Sequence, residues 1–299
     1  MLRRHGKKPI PKEKEIYLSG NDGIADIISS NDIDHARIRR ALSHAFSEAS
    51  LREQEPLMNV YFDLLIQKLY EQIDSPSNAK VNIVCFFNFT TFDLIGDLCF
   101  AESTNALRTQ EYNSWIANIF KGLNHILRHN DEKGMTRAES VKSTGTLIIA
   151  GSETTATLLS GALFHLLKNP SCTATLVQEI RTAFEESADM TFVSVGVHQW
   201  GAYRSATNFA LPDQFLPERW LDDPRFASDN RGVVQPFSVG LRNCLGQHHA
   251  MAEMRAILAR SLWHFDIDLC EESRSWNEQK VFILWEKPDL MVTVKARVC

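Results

Sequence analysis

The chain has 299 residues, 44% of them hydrophobic, with 32 basic and 37 acidic side chains and a net charge of −5. That length supports a substantial core in one or two domains, and the mild acidity argues against nucleic acid or a polybasic membrane surface as partner. Six cysteines, at 85, 99, 172, 244, 270 and 299, form no C-x-x-C pair, which is the usage of a reducing compartment rather than of a disulfide scaffold.

Residues 1–30 are polar and broken by Gly and Pro, and are read as an irregular segment. The basic start Met1-Leu2-Arg3-Arg4 has no apolar h-region behind it. No run of about 18 apolar residues stands out, so no transmembrane anchor is expected and the chain as written is read as cytoplasmic. A first helix opens after Asn31 or Asp32, either of which can cap it, and carries His35 and Arg39 on one face. Pro56 to Ile73 has helical spacing through Leu57, Val60, Tyr61, Leu64, Leu65 and Leu69. Asn82 to Cys99 is a further apolar helix. The sequon Asn88-Phe89-Thr90 inside it is read as chance, because no secretory signal accompanies it. Tyr112 to Phe120 starts another helix.

The central helix spans Arg137 to Asn169 and is ended by Pro170. Its middle reads Ala150-Gly151-Ser152-Glu153-Thr154-Thr155. Glu153 and Thr154 supply a carboxyl and a hydroxyl, the parts of a proton relay. The plainer reading is a Thr-rich helix whose hydroxyls bond its own carbonyls. Ser152 is no hydrolase nucleophile, because the G-x-S-x-G elbow is absent. Cys172 to Glu186 forms the next helix, and Phe215-Leu216-Pro217-Glu218-Arg219-Trp220 follows as a turn-rich motif.

The loop Phe237-Ser238-Val239-Gly240-Leu241-Arg242-Asn243-Cys244-Leu245-Gly246 concentrates the chemistry. Gly240 supplies a backbone angle or a close approach that a Cβ would hinder. Cys244 falls near the first turn of an amphipathic helix from Leu245 to Arg260, where unpaired N–H groups and the helix dipole favour a thiolate. Arg242 is a fixed cation suited to a carboxylate. Thiolate, glycine turn and arginine fit an iron porphyrin held by one axial sulfur and one propionate, with Phe237 shielding the sulfur from water. Cys244 with His248 and His249 could instead make half of a zinc site, but no further pair of ligands lies at short spacing. The tail closes with two strands, Val281 to Trp285 and Leu290 to Val294.

F-x-x-G-x-R-x-C-x-G, filled by Phe237, Gly240, Arg242, Cys244 and Gly246, resembles the haem-ligating signature of cytochromes P450. Ala150 to Thr155 resembles the family's central-helix motif A-G-x-E-T-T, and Asp34-His35-Ala36-Arg37-Ile38-Arg39-Arg40 resembles its C-helix in filamentous-fungal members. The resemblance implies a mainly α fold with a small β part, a partial cytochrome P450 fold over residues 31–299. It implies haem b (iron protoporphyrin IX), ligated by Cys244, with propionates held by Arg242, His35 and Arg39 and the Gly151 backbone open to the macrocycle and to oxygen. Glu153 and Thr154 would deliver protons, NADPH-cytochrome P450 reductase would supply electrons, and the substrate would be small and lipophilic. Fungal secondary metabolism is the setting the resemblance suggests.

Two breaks interrupt the family pattern, near 121–126 and 193–198. The first should hold the F–G region, and the second a helix bearing E-x-x-R. The string Glu271-Glu272-Ser273-Arg274 lies after the cysteine and is read as coincidence. Arg219, which pairs with that helix in relatives, is therefore expected to reach solvent or find another acid. A monooxygenase by descent, inactive or impaired, is one reading. A non-catalytic remnant or mis-spliced gene product without haem is the other.

Overall fold

The computed structural model describes residues 24, 26–74, 80–100, 103–111, 135–183, 203–240, 242–281 and 285–297. The helix expected at Tyr112 to Phe120, both breaks in the family pattern and most of 1–30 lie outside the described residues.

Helix α1, Asp32–Ser43, starts where expected: the Asn31 side chain accepts the backbone N–H groups of Ile33 and Asp34. It buries His35, Ile38 and Leu42. After a 3-10 turn at His44–Phe46, α2 runs Glu48–Ile73 and so begins well before Pro56. Ser47 caps it by accepting the Ser50 N–H, and the break in the backbone ladder at Pro56 falls among exposed residues, where water can meet the orphaned carbonyl.

Helix α3, Ile83–Phe100, packs along α5, Arg137–Leu167, with the single turn α4, Ala106–Thr109, beside it. Buried Asp93 of α3 anchors that turn, accepting the N–H groups of Ala106 (3.0 Å) and Leu107 (2.8 Å) and the Thr104 hydroxyl. Thr136 and Glu139 form a capping box at the start of α5. The central helix stops at Leu167, two residues short of expectation, and Pro170 opens α6, Pro170–Ala183, where its missing N–H costs nothing.

Helix α7, Gln247–His264, passes directly into β2, Phe265–Leu269. Three antiparallel strands form one sheet in the order β1 (Lys80–Asn82), β5 (Met291–Ala296), β2, and β3 (Lys280–Val281) pairs with β4 (Trp285–Glu286). Of the two strands expected in the tail, the Leu290–Val294 stretch becomes the middle strand β5, with β1 and β2 as its partners.

One core joins these layers. Leu65 and Leu69 of α2, Phe87 and Leu94 of α3, Leu159 and Phe164 of α5, Ile257 of α7 and Phe265 of β2 are all fully buried within it. The fold is mainly α with a small β part. α5 corrects one expectation, because by length and composition it is apolar enough to cross a bilayer. Nearly half of that apolar stretch is buried inside the protein, and the helix packs against α3 and α7 as its central member.

Candidate functional site

The cysteine loop is shaped by its own backbone. The Cys244 N–H donates to the Phe237 carbonyl (2.8 Å) and the Asn243 N–H to that of Gly240 (3.2 Å). Between these bonds the chain turns through positive φ at Ser238 (60°) and Gly240 (87°). A Cβ at Gly240 would meet nothing within 4 Å, so the turn angle, not close approach, is what needs glycine there. At Gly246 a Cβ would touch the Phe46 ring at an ordinary 3.6 Å. Phe237 is half-buried against the main core.

Cys244 is exposed and lies before α7, whose first residue is Gln247. The expected place in the first helical turn is therefore corrected. The expected depression of the thiol is also reversed: desolvation by the surrounding protein raises its pKa, opposed by the Gly246 N–H and the Arg39 charge. The zinc alternative loses its premise, because Cys244 and His248 do not share a helix. His249 is buried, and burial pushes its imidazole down to about 4. Among the described residues no three His, Cys, Asp or Glu side chains gather to hold a metal ion.

α1 meets this loop through two arginine contacts. Arg39 donates to both the backbone and side-chain oxygens of Asn243 (2.8 Å each), next to the cysteine. Arg242 donates from Nε (3.2 Å) and Nη2 (2.8 Å) to Asp32 Oδ1, and from Nη2 to the Ser30 carbonyl (2.9 Å). Its Nη1 is buried and has no acceptor among the described residues. His35 is buried on the inner face of α1.

An apolar knot brings the third element in. Ile38 and Leu42 of α1 are buried against Leu147 of α5 and Leu245, the neighbour of Cys244. From Leu147 the stripe i, i+3, i+7 along α5 continues to Ala150 and Thr154, both exposed. The cysteine loop and α1 thus pack against α5 at Leu147, from which the exposed stripe runs on along the helix.

Glu153 and Thr154 are not joined in a relay as placed. The Thr154 hydroxyl donates to the Ala150 carbonyl (2.5 Å), and Ser152, Ser160 and Thr144 likewise bond back to their own helix. Glu153 Oε2 instead takes the Lys287 ammonium (2.8 Å), which also donates to Asn88 Oδ1 (3.2 Å). The Lys287 side chain is only 5% exposed, so this pair ties α3, α5 and the tail together. The sequon residue Asn88 thus has a structural use. Gly151 is also occupied differently from expectation: a Cβ there would meet Ile95 of α3 at 2.8 Å, so what the glycine admits is helix α3.

Arg219 finds its substitute acid in Asp229. The pair is buried, with side chains 6% and 1% exposed, and Arg219 donates further to the carbonyls of Ala210 (2.8 Å) and Leu211 (3.2 Å) and lies over the Phe226 ring. Glu271 and Arg274 make only an exposed local pair (2.7 Å). Sequence reasoning missed Ser30, Asp32, Asn243, Lys287 and Asp229, each of which acts through a partner that no local motif announces.

The donor set fits a porphyrin: the cysteine Cys244, guanidinium groups two residues before it and bonded to its neighbour, and a buried Arg242 N–H with no acceptor among the described residues. Fold and loop together define a mainly helical protein that presents a single cysteine between arginine-bearing segments. The family model described as Cytochrome P450 matches residues 2–131, 119–194 and 193–294. A cytochrome P450 monooxygenase (astJ) of Aspergillus oryzae is 34% identical over 400 aligned positions, covering 99% of this chain and 80% of its own length. A trichothecene C-4 hydroxylase of Trichoderma arundinaceum is 32% identical, covering 96% of this chain and 80% of its own. An averantin hydroxylase of Dothistroma septosporum is 32% identical, covering 93% and 72%. The chain belongs to the cytochrome P450 family.

Proposed function

We propose that the chain is a haem-thiolate protein of the monooxygenase type whose oxygenating capacity is impaired. The observation that carries this is the exposed Cys244 thiol on a loop held by Arg39, beside an Arg242 with a buried donor to spare. Haem b would bind through Cys244, with Arg242, His35 and Arg39 on the propionate side and Phe237, Gly240 and Gly246 shaping the loop behind the sulfur. When bound, the haem supplies oxygen activation with electrons from NADPH-cytochrome P450 reductase. Thr154 lies on the exposed stripe of α5 with Glu153 beside it, and their use in proton delivery requires the Thr154 hydroxyl to turn from the Ala150 carbonyl and the Glu153 carboxylate to leave Lys287. The substrate class is a small lipophilic organic molecule, in keeping with relatives named as hydroxylases of trichothecene and averantin.

Impairment is supported by what the alignment leaves out. A match of 400 positions to a chain of 299 residues means that at least 101 positions have no counterpart here. The three family-model matches meet at 119–131 and 193–194, where the sequence pattern breaks, and Arg219 pairs with Asp229 rather than with an E-x-x-R helix. The same facts favour a second reading, a non-catalytic remnant without haem.

Reduced chain reconstituted with haem and exposed to carbon monoxide separates the two. The expected result is a red-shifted thiolate Soret band that Cys244→Ala abolishes and Thr154→Ala leaves in place. Absence of the band in the parent chain would select the remnant, and its persistence in the Cys244 variant would show another ligand.

A further inference from the structure

The guanidinium of Arg242 is not held symmetrically. Its Nε and Nη2 edge is fully engaged from the outer side, by the Asp32 carboxylate at the start of α1 and by the Ser30 carbonyl just before it. Asp32 is 51% exposed there, so it takes the arginine from the solvent side. Nη1, on the other edge, is buried and finds no acceptor among the described residues. A buried N–H without a partner is costly, and an arriving acceptor relieves that cost. Arg39 differs: its two terminal nitrogens are both engaged by Asn243, and its contacts brace the loop.

We infer that Asp32, with the Ser30 carbonyl, positions Arg242 so that Nη1 is the donor presented to a carboxylate of the ligand. Asp32 is thus a positioning residue, acting on the porphyrin through Arg242, and the inference rests on the haem reading above. Its own place is fixed: the Asn31 cap holds the first turn of α1, and Arg37 in the next turn is paired with Glu139 of α5 at 2.5 Å. Without Asp32 the long arginine stem regains its rotamers, and part of the binding free energy is spent ordering it again. Arg39, on the same propionate side, also braces the thiol loop through Asn243, while Arg242 carries the donor that has no acceptor among the described residues.

The alternative is that Asp32 competes with the ligand carboxylate for Arg242. The two roles give opposite signs, so a haem titration followed at the Soret band decides between them. Iron protoporphyrin and its dimethyl ester, which lacks the propionate charges, are each titrated from the same detergent stock into the parent chain, Asp32→Asn and Asp32→Glu. The expected result is about five-fold weaker binding of the free acid by Asp32→Asn, the scale of one half-exposed ion pair. Asp32→Glu should recover part of the loss, and the dimethyl ester should bind parent and variants alike. Tighter binding of the free acid by Asp32→Asn would make Asp32 a competitor, and equal losses for both porphyrins would make it a simple strut; either overturns the inference, as does no change at all. Failure of the parent chain to bind either porphyrin sinks the haem reading and this inference with it, and so is distinguishable from the other outcomes.

Discussion

At the scale of single residues, Glu253 and His249 of α7 are titratable groups shifted chiefly by burial. Glu253 is fully enclosed, with Oε1 lacking a conventional acceptor or donor among the described residues, and desolvation raises its carboxyl well above the ordinary value, opposed by the nearby Thr155 hydroxyl. His249, one turn earlier on the same face, is pushed down to about 4 by burial alone. The two act on stability in opposite directions. Above about pH 4.5 the unfolded chain releases the Glu253 proton that the folded chain keeps, so stability falls as pH rises. Between 6.5 and about 4 the unfolded chain takes up a proton on His249 that the folded chain refuses, so stability falls as pH drops. Thermal unfolding across pH 4–8 should therefore show Glu253→Gln gaining on the parent chain as pH rises and His249→Gln gaining as pH falls. Parallel curves for parent and variants would refute the burial account. Neither effect was legible in the sequence, because a Glu or a His on an amphipathic helix reads as solvated until its neighbours are known. The turn at Gly240 was legible, since a glycine two residues before an arginine and four before a cysteine marks one. Asp32 was not, because its partner lies 210 residues away.

Among the elements, the segment 203–240 shows how a buried arginine is satisfied locally. Arg219 is as buried as a core residue, yet its ion pair, two carbonyl contacts and aromatic neighbour all come from within that segment. Removing the acid alone leaves a buried, uncompensated guanidinium, which costs about 3–5 kcal/mol, whereas replacing both members by apolar residues costs far less. Urea unfolding should show Asp229→Ala strongly destabilised and the double variant Arg219→Met/Asp229→Leu nearer to the parent. A double variant as unstable as the single one would mean that packing, not charge, is what the pair supplies. For Arg219 the sequence left open solvent or a substitute acid, and the structure supplies the acid. The sequence foresaw the cap of α1 and the course of α3 and α5, where local signals and periodicity agree. It failed at α2, where Ser47 starts a helix that runs through Pro56, and at β2, which follows α7 with no Gly, Pro or Asn between them. β2 does alternate, Phe265 and Ile267 buried against exposed Asp266 and Asp268, but five residues of alternation do not outweigh the helix that precedes them.

At the scale of the whole molecule, the stretches that match the family model are joined at 119–131 and 193–194, where the proposed losses fall. The cysteine loop, the arginines of α1 and the central helix come from three separately matched stretches and meet in space through the Ile38, Leu147 and Leu245 contacts. Cys244 is exposed, as are Ala150 and Thr154 on the stripe of α5 that continues from Leu147. Oxygen insertion needs protons to arrive by a defined route and water to be kept out, and a site held about 1 Å too loosely can lose most of its rate. The Glu153 carboxylate, for its part, is paired with Lys287. With haem, reductase, NADPH and a panel of lipophilic compounds, the chain should consume NADPH mainly to form peroxide and water, with little hydroxylated product. Grafting the corresponding segments of the Aspergillus oryzae relative at the two junctions, 119–131 and 193–194, should raise the ratio of product to NADPH consumed. Lys287→Met alone should not, because freeing the Glu153 carboxylate does not close the pocket. Product matching NADPH in the parent chain would show that these 299 residues already enclose their site. A graft that bound haem more tightly but coupled no better would place the defect in the proton route and not in the missing enclosure.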